Sequence, residues 1–435
     1  MKGDWHDAIE ALWRTLSPEF AIPTVDEWSR DTDEEEDGAG ETDSVEELRL
    51  VRSGVRPPLF DYQEDLVRQA LASEQLNGLL ALPTGAGKTR TAVAVVLAGL
   101  ASGSFRDVVW LAPSGELVEQ AFATFRELWL MQGDLDAVTL TRDLEYARRE
   151  PTVVLTTPQT VYSRRVRLRC LRDQVVRDLV VFDEAHQLGA PTFVEAIELL
   201  GAAGMSGNQS SSSVRVLGLS ATPGRVDPDE TEDLVALFQG RLLSSRLLGP
   251  NPVETLQRRG VLARLKFRRF TNSNIPADDE GWRTLVAARA CVELRRRQRK
   301  PLVFAASVPG AIVLAQALRG RGLRAEALHA ETPSTRRRAV VSDFANGKVE
   351  VLVNHRLLAT GYDCPAVSDV LILGPVGSPI QFEQIVGRAA RGPMTGGSRA
   401  ATVWDFDNHL KVHGLPNSYY RYRDYDWQSL MDSDT

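Results

Sequence analysis

Cysteine is scarce: three in 435 residues, Cys170, Cys291 and Cys364, and no two form a C-x-x-C pair. This excludes a disulfide framework and a cysteine-ligated zinc site, and it fits a reducing, cytoplasmic setting. Long apolar runs are missing as well. No stretch approaches the roughly 18 residues of a membrane span, so no membrane partner is expected. The N-terminus, Met1-Lys2-Gly3-Asp4-Trp5, is unlike a secretory signal. No short-period repeat and no nuclease signature is evident.

What remains is ordinary globular composition, 43% hydrophobic and 25% charged. The length exceeds what one core usually supports, so two domains are expected. Net charge is −7, but residues 1–47 hold 16 Asp and Glu against 3 Lys and Arg. That leader is −13, so the rest of the chain is +6. A mildly basic body behind an acidic leader is compatible with a polyanionic partner.

Within the leader, Trp5, Ile9, Leu12, Trp13 and Leu16 fall on one face of an amphipathic helix. Two readings stand for residues 1–30: a helix docked on the protein's own body, or one that binds a protein partner through its tryptophans. Residues 31–50 read as an acidic linker, preferred over an acidic lid across a basic groove. From residue 51 apolar strands alternate with helices. Strands are expected at Asp107–Pro113, Thr152–Pro158, Leu179–Asp183 and Val214–Ser220, with helices at Glu64–Ser73, Glu116–Trp129 and Pro191–Leu200. A serine-rich surface loop is expected at Ser206–Ser213. Residues 226–280 read as a connection. A second set follows over 281–411, with strands at Pro301–Ala305, Arg324–Leu328, Val349–Val353, Val370–Leu373 and Ala400–Phe406. This pattern predicts parallel sheets covered by helices on both faces. Residues 412–435 form an aromatic tail with Tyr419, Tyr420, Tyr422, Tyr425 and Trp427. Packing over the second domain is preferred there to stacking on bases.

Two stretches carry chemistry. Leu82-Pro83-Thr84-Gly85-Ala86-Gly87-Lys88-Thr89 lies between an apolar strand and an apolar helix. Glycines let backbone N–H groups approach a phosphate, and the helix start favours the anion. Lys88 would reach the β- and γ-phosphates of a nucleotide, and the Thr89 hydroxyl would ligate Mg²⁺. Thr84, Gly85 and Gly87 complete the cradle. About a hundred residues on, Asp183-Glu184-Ala185-His186 ends a buried strand. Asp183 can hold Mg²⁺ there and Glu184 can polarise an attacking water.

With these residues the chain resembles superfamily 2 helicases and translocases, whose motifs occur in family order over roughly residues 56–411. Within that superfamily it looks most like the RadD/XPB-like group, for instance in Leu358-Ala359-Thr360-Gly361-Tyr362-Asp363-Cys364-Pro365. The resemblance implies an α/β fold of two tandem RecA-like domains behind a short helical and acidic extension. It implies ATP and Mg as cofactors, with adenine read by Gln63, and Gly361 and Asp363 also at the nucleotide. Ser220 and Thr222 of Ser220-Ala221-Thr222-Pro223 would couple hydrolysis to domain movement. Gln384, Arg388 and Arg391 come from Gln384-Ile385-Val386-Gly387-Arg388-Ala389-Ala390-Arg391. The two arginines, three apart on a predicted helix, would both serve the γ-phosphate from the second domain. Hydrolysis would then require the domains to close.

The same resemblance places nucleic acid across both domains, touching Pro113, Thr157 and Thr360. Arg164, Arg165, Arg167 and Arg169 are added as basic candidates, and the Arg295–Lys300 cluster as a weaker one. The expected function is a DNA helicase or translocase, DNA being favoured over RNA. The alternatives are an RNA helicase, or an ATP-gated motor subunit of a repair or genome-defence complex that binds its partner through residues 1–30 or the tail.

Overall fold

Apolar residues alternate faces along each strand, and the two faces collect separate cores. Leu80, Val108, Trp110 and Val153 fall in one cluster, while Leu79, Val109, Leu111 and Val154 fall in another. The same alternation divides Leu302 and Phe304 from Val303 and Ala305. Successive strand side chains point to opposite faces, so each sheet is packed on both sides. Fully burying a side chain of this kind contributes roughly 1.5–3 kcal/mol.

The computed structural model describes residues 48–51, 59–72, 76–131, 137–144, 151–165, 168, 178–187, 195–196, 199–200, 214–224, 227–270, 279–358, 367–414 and 427–429. Outside them lie the amphipathic segment and nearly all of the acidic linker, the serine-rich loop, most of the expected helix at 191–200, Arg167 and Arg169. Thr360, Gly361, Asp363 and the four tail tyrosines also lie outside.

In chain order the first strands are β1 (Leu48–Val51), β2 (Asn77–Ala81), β3 (Asp107–Leu111), β4 (Ala137–Thr141), β5 (Thr152–Thr156), β6 (Leu179–Phe182), β7 (Arg215–Ser220) and β8 (Arg241–Leu243). Then come β9 (Arg264–Arg269), β10 (Pro301–Phe304), β11 (Ala325–Leu328), β12 (Val351–Asn354), β13 (Asp369–Ile372), β14 (Ala400–Asp405) and β15 (Gln428–Ser429). Among the described residues they form two sheets, ordered β1-β4-β5-β3-β6-β7-β2-β8-β15 and β11-β12-β10-β13-β14-β9. Every pairing is parallel except the antiparallel edge pair β1 and β4.

The segment 226–280 does more than connect. It adds β8 to the first sheet and β9 to the second, with a helix at Pro252–Arg258 between them. β9 reads Arg-Leu-Lys-Phe-Arg-Arg and pairs with β14 along its whole length. Only Leu265 and Phe267 pack on the core, and the cations of this edge strand stay exposed. The low apolar content hides the strand from a sequence reading. Leu248, Leu256, Val261 and Leu262 join the first sheet's core together with Ala390, which lies between β13 and β14 of the second sheet, so the connection is packed on the first domain.

At Trp427, the one tail aromatic among the described residues, the expectation for the tail is corrected. Trp427 packs on the first sheet's core, not over the second domain, and β15 pairs with β8. The indole finds there both an apolar wall and an acceptor for its N–H, the Pro223 carbonyl at 2.9 Å.

Candidate active site

β2 runs into the glycine-rich loop, and the helix Lys88–Ala101 runs out of it. That helix is anchored by an almost continuous buried stretch from Thr91 to Leu100. Its N-cap is Gly87 at φ 85°, a left-handed conformation that favours glycine and gives the helix start no side-chain acceptor. The first amides are left to an anion from outside. A β-carbon on Gly87 would lie 2.5 Å from the Gln63 amide nitrogen.

Gln63 itself is 1% exposed. Its Oε1 accepts the Phe60 N–H at 3.0 Å, a helix-capping contact. Its Nε2 donates to the Ala86 and Gly87 carbonyls at 3.4 and 3.5 Å. In this structure the amide therefore braces the phosphate loop.

Asp183 and Glu184 arrive from the end of β6, two strands from β2. The Lys88 ammonium lies 3.8 Å from Glu184 Oε1. Burial raises the Glu184 carboxyl, but the charges of Lys88 and Arg388, with the His186 ring N–H beside it, outweigh it and hold the group below the usual carboxylate range. Burial and the Glu184 charge instead push Asp183 up to about 7. Glu184 is also one of the few non-glycine residues at positive φ, 52°, a conformation that costs on the order of 1–3 kcal/mol and clusters at functional sites.

These residues fit a divalent cation. Asp183 Oδ2 is buried and has no hydrogen-bond partner among the described residues, an acceptor that a cation would satisfy in place of a proton. Thr89 lines the same cleft. Among the described residues no group of three His, Cys, Asp or Glu could hold a metal alone. Magnesium does not require one, because phosphate oxygens and water complete its shell.

The second domain closes the cleft. Gly387 lies against Thr84 so tightly that a β-carbon there would be 2.2 Å from Thr84 Cγ2. Arg388 and Arg391 line the cleft of about 660 Å³ with Lys88, Thr89, Asp183 and Glu184. One expectation is corrected here. The helix is Pro379–Gly387, so Arg388 is its C-cap and Arg391 is off it, in a bridge with Leu262. The helix ends because the Ala390 carbonyl accepts the Ala263 N–H at 2.7 Å and Gly392 N–H goes to Val261 O at 2.9 Å. Tertiary hydrogen bonds replace the next helical turn, and both arginines still reach one site.

A polar chain runs behind the carboxylates. Ser220 Oγ donates to Thr222 O at 2.5 Å, so it accepts from His186 Nδ1 at 3.3 Å. That places the ring proton on Nδ1 and leaves Nε2 to accept from Gln384 Nε2 at 3.5 Å. Composition and spacing gave no signal for this role of His186. A second contact between the domains, equally silent in the sequence, pairs Arg337 with Glu116.

The expected nucleic-acid contacts separate. Pro113 and Thr157 follow neighbouring strands β3 and β5 and share one rim. The Thr157 hydroxyl caps the helix Pro158–Ser163, accepting from Thr160 N–H at 3.2 Å. Arg164 pairs with Asp143 at 3.6 Å, and Arg165 stacks on Tyr162. The Arg295–Lys300 cluster is largely engaged internally: Arg295 with Glu350, Arg297 with Glu293, and Arg299 with Asp369.

Comparisons agree with this geometry. A family profile described as "Type III restriction enzyme, res subunit" matches residues 56–225, and "Helicase conserved C-terminal domain" matches 285–393. A 51.5 kDa protein of a Lactococcus phage is 25% identical over 272 residues, 61% of this chain and 56% of that protein. The putative mitochondrial ATP-dependent helicase irc3 of Schizosaccharomyces pombe is 26% identical, over 54% of this chain and 38% of that protein. The ATP-dependent DNA helicase fml1 of the same yeast is 33% identical over 38% of this chain and 19% of that protein. The chain thus spans about half or less of the length of these relatives. Among solved structures, S. cerevisiae Dbp5 bound to RNA and ADP BeF3 superposes with a TM-score of 0.58 at 18% identity, covering 83% of this chain and 91% of that one. At that identity the likeness shows the fold, two tandem RecA-like domains. Profiles on both domains, relatives named as helicases and a matching fold lead to one family: the chain belongs to the superfamily 2 helicases.

Proposed function

We propose that this chain is a nucleic-acid-dependent ATPase that works as a helicase or translocase. The observation that carries the reading is the convergence of Lys88 and Glu184 from one domain with Arg388 and Arg391 from the other in one cleft. Lys88 and the loop amides hold the phosphates. Glu184, kept ionised by its cationic neighbours, orients the attacking water and accepts its proton. Asp183 and Thr89 would hold magnesium, which when bound neutralises charge on the phosphates. Arg388 and Arg391 place positive charge where negative charge develops. Since they lie beyond the interdomain seam, opening the cleft removes them, and hydrolysis follows domain closure.

The partner on this reading is nucleic acid, lying across the rim formed by Pro113 and Thr157, with Arg164 and Arg165 beside it. DNA is favoured by the relative named as a DNA helicase and by the RadD/XPB-like sequence. Backbone contacts predict strong salt dependence and little sequence preference. ATP hydrolysis measured with single-stranded DNA, duplex DNA and RNA tests the proposal. Stimulation by DNA supports it, RNA as the sole activator moves it to an RNA helicase, and no stimulation by any polymer rejects it.

A further inference from the structure

The turn Ser220–Pro223 is held at both ends. At Ser220 the hydroxyl closes the turn on Thr222, through its carbonyl and its N–H, and receives His186 Nδ1. At the other end the Pro223 carbonyl accepts the Trp427 indole N–H at 2.9 Å. Trp427 is held in turn by its ring against the core beneath β7 and by the pairing of Gln428 and Ser429 with Arg241 and Leu242. The chain has by then left the second sheet, whose last described helix is His409–His413, and returned to the first. His186 stands between Ser220, Gln384 and Glu184, whose Oε2 is 3.4 Å from Nδ1. A displaced turn therefore displaces the imidazole beside the water-orienting carboxylate.

We propose that Trp427 is a positioning residue for hydrolysis, acting through Pro223 and Ser220 on His186. The proposal rests on the ATPase reading above. Trp427→Phe keeps an aromatic ring but removes the donor together with part of the bicycle's packing surface, and the melting temperature reads the packing part separately. Amide hydrogen exchange at Thr222 in the nucleotide-free protein is expected to quicken about fivefold, the size of one neutral hydrogen bond. ATP hydrolysis is expected to show kcat about fivefold lower with KM for ATP unchanged. A packing role alone would lower the melting temperature and leave kcat of the folded fraction intact. Unchanged exchange at Thr222, or faster exchange with an unchanged kcat, overturns the proposal. If wild-type protein hydrolyses no ATP, the functional reading fails, and unchanged exchange still overturns the positioning of the turn. Should the phenylalanine variant lose its cooperative melt, β-(3-benzothienyl)alanine at 427, isosteric with tryptophan but lacking the N–H, makes the same comparison.

Discussion

Gln384 Nε2 lies 3.5 Å from His186 Nε2, and this contact joins the helix that leads into Arg388 in the second domain to the turn after the carboxylate strand of the first. Both side chains are nearly buried, Gln384 at 9% and His186 at 8% exposed. A buried polar group that loses its partner costs about 1–3 kcal/mol. Gln384→Ala is therefore expected to lower kcat for ATP by roughly 5- to 150-fold with nucleotide affinity little changed. Steady-state kinetics and nucleotide titration separate the two quantities. An unchanged kcat would mean that the contact does not set the closed state.

Glu184 and Lys88 share a 3.8 Å contact but should fail differently. Glu184→Gln keeps the shape and removes the proton acceptor, which general-base catalysis values at roughly 10²- to 10⁴-fold in rate. Nucleotide binding should persist. Lys88→Ala removes the phosphate ligand, and both binding and hydrolysis should collapse. A Glu184→Gln protein that still turns over ATP within threefold of wild type would remove Glu184 from the mechanism.

Much of this site is legible in sequence because its chemistry dictates local order. A glycine-rich turn must stand between strand and helix, and the carboxylates must end a buried strand, so Gly87, Lys88, Asp183 and Glu184 are found without coordinates. Contacts made across the chain are not legible. Arg391 looks helical by spacing, but the Ala263 N–H claims the Ala390 carbonyl. Arg299 looks like a polyanion contact, but Asp369 lies 2.7 Å away across 70 residues of chain. β9 escapes notice because an edge strand tolerates cations that a central strand would not.

Gly387 faces Thr84 with no room for a β-carbon. Gly387→Ala should leave both domains folded, because the contact lies between them. It should hold the cleft open by the bulk of one methyl group and move Arg388 away from Glu184. Hydrolysis is expected to fall at least tenfold with the melting temperature within about 2 °C of wild type. Thr84→Ser in the same chain, which removes the clashing Cγ2, should restore part of the rate. A Gly387→Ala enzyme of normal kcat shows that closure does not need this contact.

Asp405 gives the second domain an acid-sensitive joint. One carboxylate receives the His409 ring at 2.8 Å, the His409 backbone N–H at 2.5 Å and the Asp407 N–H at 2.9 Å. His409 Nε2 meanwhile accepts the Val376 N–H at 3.0 Å, fixing the loop that leads to Gln384. Burial raises the Asp405 carboxyl, but the hydrogen bond from the His409 ring and the backbone donors overcome that and leave it below its usual value. A carboxyl whose folded pKa lies below its unfolded one, about 3.9, stabilises fully above the unfolded value. That stabilisation is lost as pH falls through the folded one. Asp405→Asn should thus cost roughly 1–3 kcal/mol at pH 7, and the gap to wild type should shrink below about pH 4. Denaturant unfolding at pH 7 and pH 3.5 measures both gaps. Equal gaps at the two pH values would show that the carboxylate charge does not hold this joint.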